Sequence, residues 1–297
     1  MIKEFAIQPE VLGTWAHFYS LRADFEVGLG RLICRYPKSW TREVCAYVDR
    51  QIAEQKMGDV HGNSIKTFVS GERERHRFIP ARGRNYEPVR TWLENSEGCT
   101  LPDPFHAIIA QENPRSAERV IVAGEFDRSQ PPFAVEFQGE VLRNADEMAD
   151  CCETLLDVCE ELILVDYYFS PAASRHGDTF RAMLSHAKRR PRNIRRIEIH
   201  TTQPAAKEVY EKAFAGELPA NTVLKVFLWN EPPEGLHARY LLTDLGGIKF
   251  DWGFDKGQLH TQQNEVILMQ HQRWVEIYGR YSSPPAGCVP TTIKSKF

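Results

Sequence analysis

No apolar run in this chain approaches the roughly eighteen residues that a membrane-crossing helix needs, and no charged-then-apolar leader follows Met1. These absences predict a soluble, cytoplasmic protein. Cys-x-x-Cys is missing too. The seven cysteines, Cys34, Cys45, Cys99, Cys151, Cys152, Cys159 and Cys288, are odd in number and never at metal-knuckle spacing. That excludes a zinc ribbon or a dithiol redox motif and suits a reducing compartment. A large charge of one sign is also lacking. The net charge of −3 argues against a uniformly basic nucleic-acid coat but leaves room for local basic patches. Neither an internal repeat nor a low-complexity tract is present, which removes solenoids and long disordered linkers.

What is there is ordinary globular composition, 42% hydrophobic and 26% charged over 297 residues, enough for two domains with proper cores. The best boundary is the Pro-rich stretch Gln130-Pro131-Pro132, dividing residues 1–130 from 131–297. After it the periodicity alternates. Asn144 with Glu147 forms a capping box, and Met148, Cys151, Cys152, Leu155, Leu156 and Cys159 follow at helical spacing. Leu162–Tyr168, Ile194–His200 and Val223–Trp229 read as strands, with helices over 178–189 and 205–214 between them. Strand, helix, strand, helix, strand predicts an α/β fold on a parallel sheet, extended by a hairpin at His237 and a strand at Glu265. The first 130 residues read as an α+β region of unassigned role. Helices are expected over 11–29 and 40–56, and short strands at Ala107–Ala110 and Val120–Ala123.

The stretch His237-Ala238-Arg239, with Asp244 five residues after the arginine, carries the most chemistry. It lies in the apolar run Leu236–Leu242, between a Pro-Pro-x-Gly segment and the turn Asp244-Leu245-Gly246-Gly247. That framing predicts a short strand, on which His237 and Arg239 point the same way. An imidazole beside a fixed cation can grip a phosphate and attack it. The plainer alternative is a satisfied histidine and two surface charges. Gly253 and Asp255 follow in a second turn, and Glu265 opens the run Val266–Met269.

The order His-x-Arg, Asp, Gly, Glu resembles the phospholipase D superfamily, with its His-x-Lys-x4-Asp signature, glycine turn and bracing glutamate. Over roughly 140–283 the segment is most similar to the phospholipase D-like domain at the C-terminus of MIT-domain proteins. The resemblance implies a mixed sheet flanked by helices and a metal-independent phosphodiesterase without cofactor. In it His237 attacks phosphorus to form a phosphohistidine, Arg239 neutralises the phosphoryl oxygens, and Asp244 and Glu265 orient the imidazole. Arg239, Gly253 and Asp255 would line the phosphate site. Three departures stand out. Arginine replaces lysine, Phe254 replaces the serine of the turn, and no second His-x-Lys-x4-Asp or His-x-Arg-x4-Asp motif exists. His76-Arg77-Phe78 and His271-Gln272-Arg273 are near misses without the downstream pattern. A catalytic form would therefore take its second histidine from a partner in a homodimer. The MIT-associated relatives are regarded as binding domains, so a degenerate module binding nucleic acid or anionic lipid stands beside the nuclease. A scaffold in a larger assembly, such as one for antiviral defence, is a third class.

Two basic clusters bear on partners. Lys188–Arg196 packs six positive charges into nine residues, among them Arg189, Arg190, Arg192, Arg195 and Arg196. Arg75, Arg77, Arg82 and Arg84 are interleaved with Phe78 and Tyr86, a pattern suited to single-stranded nucleic acid. Solvated loops would tolerate either cluster. Asp166 and His200 end predicted strands, where parallel sheets bind ligands; a buried capping role fits them equally. Gly58-Asp59-Val60-His61-Gly62 matches the first metal motif of the calcineurin-like metallophosphoesterases. No strand precedes it and no companion motif follows, so it reads as a loop ending a helix.

Overall fold

The computed structural model describes residues 1–99, 103–125, 127–188, 194–230, 237, 239–259, 261–283 and 289–295. The chain forms two compact units, residues 2–136 and residues 137–297 with Met1. The Pro-rich stretch at 130–132 lies just inside the first.

The first unit carries five strands: β1 (Lys3–Ile7), β2 (Arg31–Arg35), β3 (Phe78–Pro80), β4 (Ala107–Ala110) and β5 (Val120–Val122). Their order is β3-β2-β1-β4-β5 and every pairing is parallel. Helices α1 (Pro9–Leu12), α2 (Trp15–Leu21), α3 (Trp40–Ala53), α4 (Asp59–Ser70) and α5 (Trp92–Gly98) connect them. Trp40, Val44 and Val48 recur at a helical turn's spacing on α3 and join Ile65 of α4 over Phe5, Ile7 and Ile33 of the sheet. The region expected to be α+β is therefore α/β. β1 and β2 are buried on both faces and lack the polar alternation that marks a half-exposed strand. Asp59, Val60, His61 and Gly62 open α4 and are not the loop that ends α3, and His61 stacks on Trp15 at 3.8 Å between ring centres.

The second unit holds β6 (Gln138–Leu142), β7 (Glu161–Asp166), β8 (Arg196–Thr201), β9 (Val223–Leu228), β10 (Arg239–Thr243), β11 (Gly247–Phe250), β12 (Gln263–Leu268) and β13 (Thr291–Lys294). They form one sheet of order β13-β9-β8-β7-β10-β11-β12-β6. β7, β8 and β9 are parallel, and the other pairings are antiparallel. Helices α6 (Ala145–Asp150), α7 (Glu153–Val158), α8 (Ser174–Lys188), α9 (Lys207–Phe214) and α10 (His271–Ser282) complete this mixed α/β unit. The expected strand–helix alternation is present. The helix predicted from Asn144 is real and capped by that side chain, but it breaks at Cys151-Cys152 into α6 and α7.

One sheet face packs Ile163, Val165, Tyr240 and Leu242 against Ile277 and Tyr281 of α10. On the other face, Met148 of α6 meets Asn264 of β12. Among the described residues no helix is long and apolar enough to cross a membrane.

Candidate phosphate site

The antiparallel register carries chemistry to one end of the second sheet. β10 begins where β7 ends, so Arg239 stands directly across from Asp166. β11 ends at the same edge and leads into the turn 251–255, which returns the chain to the start of β12. Gly253 in that turn has φ +82, a conformation glycine adopts without strain. It is also the only residue type that fits the space. A Cβ there would lie 2.6 Å from Asp166 Oδ2 and 2.7 Å from Arg239 Cδ.

Asp166 is buried and accepts two backbone N–H bonds, from Tyr168 to Oδ1 and from Phe254 to Oδ2, each 3.0 Å. Burial pushes its pKa up; the two amides and the Arg239 guanidinium act in the opposite direction. Arg239 Nη1 donates to the Asp251 carbonyl at 2.7 Å, which fixes one edge of the guanidinium plane. Its Cζ lies 5.7 Å from the centre of the Tyr168 ring.

The turn is held from beneath by Asn264. Its Oδ1 accepts the Trp252 N–H at 3.0 Å and its Nδ2 donates to the Gly253 carbonyl at 2.8 Å. Arg143, just past β6, pairs with Asp255 at 2.7 Å, and Arg175 approaches the same carboxylate at 3.8 Å. His176, in the first turn of α8, is buried against Phe169, and its Nδ1 accepts the Ser170 N–H at 3.4 Å. Burial depresses its pKa to about 4, with Arg175 acting in the same direction and Asp255 in the other. Sequence reasoning missed Arg143, Arg175, His176 and Asn264. A polar residue at a buried strand position was the available sign for Asn264.

The sequence-derived site is thus brought together only in part. Arg239 and Gly253 meet. Asp255 is in the right turn, but its carboxylate is committed to Arg143 and Arg175, so it braces the turn and is not positioned to receive a phosphate. His237 is exposed, in a turn two residues before Arg239; Leu236 and Ala238 lie outside the described residues. Asp244 does not orient the imidazole. It lies beyond the far end of β10, roughly 16 Å along the strand from Arg239, and its Oδ1 accepts the N–H groups of Glu160 and Glu161 at 2.8 and 3.1 Å.

Glu265 is displaced for a different reason. Leu241, Ile248 and Leu268 lie side by side across β10, β11 and β12. Counting by twos, Arg239 shares their face with Asn264, and Glu265 points to the other. There it lies opposite Glu140 and accepts a hydrogen bond from Gln138. The near-miss histidines lie on other elements. His76 belongs to the first unit, beside Glu26 at 3.9 Å. His271 opens α10, against Trp274.

Among the described residues, most arginines of the basic clusters have acidic or carbonyl partners. Arg82 and Arg84, half-buried residues with side chains 10% and 4% exposed, pair with Glu4 at 2.6 and 2.9 Å, and Asp103 joins them. Arg77 pairs with Glu74 at 2.5 Å and donates to the carbonyls of Arg22 and Phe25. Arg75 is half-buried. Arg195 pairs with Glu160, and Arg196 with Glu161 and Glu198. Arg189, Arg190 and Arg192 lie outside the described residues. His200 is a core residue: Trp229 Nε1 donates to its Nδ1 at 2.9 Å, and Glu198 lies 3.4 Å from Nε2.

No family model matches the sequence, and no curated protein matches it. Similarities of fold are found among solved structures. Nuc from Salmonella typhimurium, a phospholipase D family member, aligns with a TM-score of 0.33 and 12% identity over 48% of this chain and 90% of that one. NucT from Helicobacter pylori aligns with a TM-score of 0.36 and 15% identity over 52% and 98%. TrmBL2, an archaeal chromatin protein described as having a novel mode of DNA binding, aligns with a TM-score of 0.26 and 15% identity over 51% and 54%.

Proposed function

We propose that the second unit binds a phosphodiester of nucleic acid at the sheet end marked by Arg239. The observation that carries this is the setting of Arg239, across from buried Asp166, against Gly253, and tied by one N–H to the Asp251 carbonyl. A guanidinium held in one plane loses little freedom on binding and matches paired phosphate oxygens. The amides of Tyr168 and Phe254 are already satisfied by Asp166, so the cation is the main handle for an anion.

Hydrolysis is the second reading. It is favoured by the exposed His237 two residues from Arg239, and by the likeness of this motif to the phospholipase D signature. It gives His237 the role of nucleophile through a phosphohistidine, with the acid histidine supplied by the partner in a homodimer. The placements of Asp244 and Glu265 leave that imidazole without its expected braces, which is why binding ranks first.

The two readings separate in one experiment. Full-length protein is assayed in EDTA for binding and for cleavage of a labelled oligonucleotide. Arg239→Ala is expected to weaken binding by tenfold or more, consistent with about 1.5–3 kcal/mol for a hydrogen bond to a charged group. The binding reading expects no cleavage and little loss of affinity in His237→Ala. Cleavage in EDTA that His237→Ala abolishes establishes hydrolysis. Unchanged affinity in Arg239→Ala overturns the binding reading.

A further inference from the structure

We infer that the strand taken by this site is single-stranded, with bases stacked on Tyr168 and Trp252; the inference rests on the phosphodiester reading of Arg239. These two rings are 42% and 59% exposed. A lone exposed aromatic needs no explanation. These two are exposed in one place and in one manner. The N–H of Tyr168 is bound by buried Asp166 and that of Trp252 by buried Asn264, so each ring stands outward from backbone fixed to the core.

Each ring also has an arginine beside it. Arg239 Cζ lies 5.7 Å from the Tyr168 ring centre, and Arg143 Cζ lies 5.6 Å from that of Trp252. Gly253 joins the two pairs, following Trp252 in the chain and touching the Arg239 side chain. The rim therefore places the Arg239 cation between the Tyr168 and Trp252 rings, with Arg143, paired to Asp255, backing the Trp252 ring. Aromatic platforms interleaved with guanidinium groups recognise unpaired bases, whose faces are open, while the cations follow the backbone. A duplex keeps its base faces stacked internally and offers these rings no partner. A lipid headgroup brings a phosphate but no flat base.

The test uses the full chain and fluorescence anisotropy. The probes are a labelled single-stranded oligonucleotide, an abasic strand of the same length, and a duplex of the same sequence. The wild type is expected to prefer the base-bearing single strand over both others. Tyr168→Ala and Trp252→Ala should each weaken that complex about tenfold and shrink its advantage over the abasic strand, and Phe at either position should restore it. A wild type that shows no such preference, or a preference that survives the double alanine variant, overturns the inference. Arg239→Gln should weaken the base-bearing and abasic strands alike. If it weakens neither while the ring variants behave as expected, the phosphodiester reading falls and the stacking stands.

Discussion

His176 is enclosed by Phe169 and the first turn of α8, and its neutral ring accepts a backbone N–H through Nδ1. Protonating it would break that bond and place a charge beside Arg175. With a folded pKa of about 4 against an ordinary 6.5, the unfolded chain binds more protons than the native one between those values. Stability therefore rises with pH through this window and is lost as pH falls. Between pH 7 and pH 5 this one group should remove about 2 kcal/mol. Urea unfolding of wild type and His176→Gln at both pH values checks it. The variant should lose less stability than the wild type on acidification, and equal losses would contradict the assignment. At the same scale, sequence reading found Arg239 and Gly253 because a charge on an apolar strand and a glycine in a turn both stand out. It did not find Arg143, whose partner Asp255 is distant in the chain, or His176, whose burial against Phe169 nothing in the local sequence marks.

At the scale of the strand, β12 shows what a period of two decides. Asn264 and Glu265 are adjacent, yet one faces the turn at Gly253 and the other the opposite side of the sheet. The motif order drew attention to Glu265, the residue with the more familiar chemistry. The register across β11, which the sequence does not display, gives the site to Asn264 instead. Asn264→Ala would strand the Trp252 N–H and the Gly253 carbonyl, costing about 1–3 kcal/mol and weakening oligonucleotide binding by loosening the turn. Glu265→Gln should change affinity little. Denaturation and anisotropy on both variants check this; a loss of affinity confined to Glu265→Gln would restore the bracing role.

At the scale of the whole molecule, the chain is two α/β units with different sheets, and they were unequally legible. In the second, parallel strands separated by amphipathic helices announce themselves through changes of period. In the first, β1, β2 and β3 are short, and β1 and β2 are buried on both faces, so an apolar run is all that marks them. The arginines at 82 and 84 misled for a related reason. They suggest a basic surface, but buried Glu4 at the centre of the sheet draws both inward. Arg84, with its side chain only 4% exposed, illustrates the consequence. Arg84→Met should destabilise the first unit by about 3–5 kcal/mol, because Glu4 is left buried with less compensation. Affinity for oligonucleotide should be unchanged while the protein remains folded. Weaker binding at full stability would return this cluster to the nucleic-acid surface.

The claim that Arg239 holds a phosphate is tested most directly by the salt dependence of single-stranded oligonucleotide binding. Each phosphate contact contributes about 0.7 to the slope of log affinity against log salt for a single strand. Arg239→Gln is therefore expected to flatten the slope by about that amount, with a drop in affinity at low salt. Arg195→Gln, which removes an arginine paired with Glu160, should leave the slope unchanged. An Arg239→Gln slope equal to that of the wild type would contradict the account.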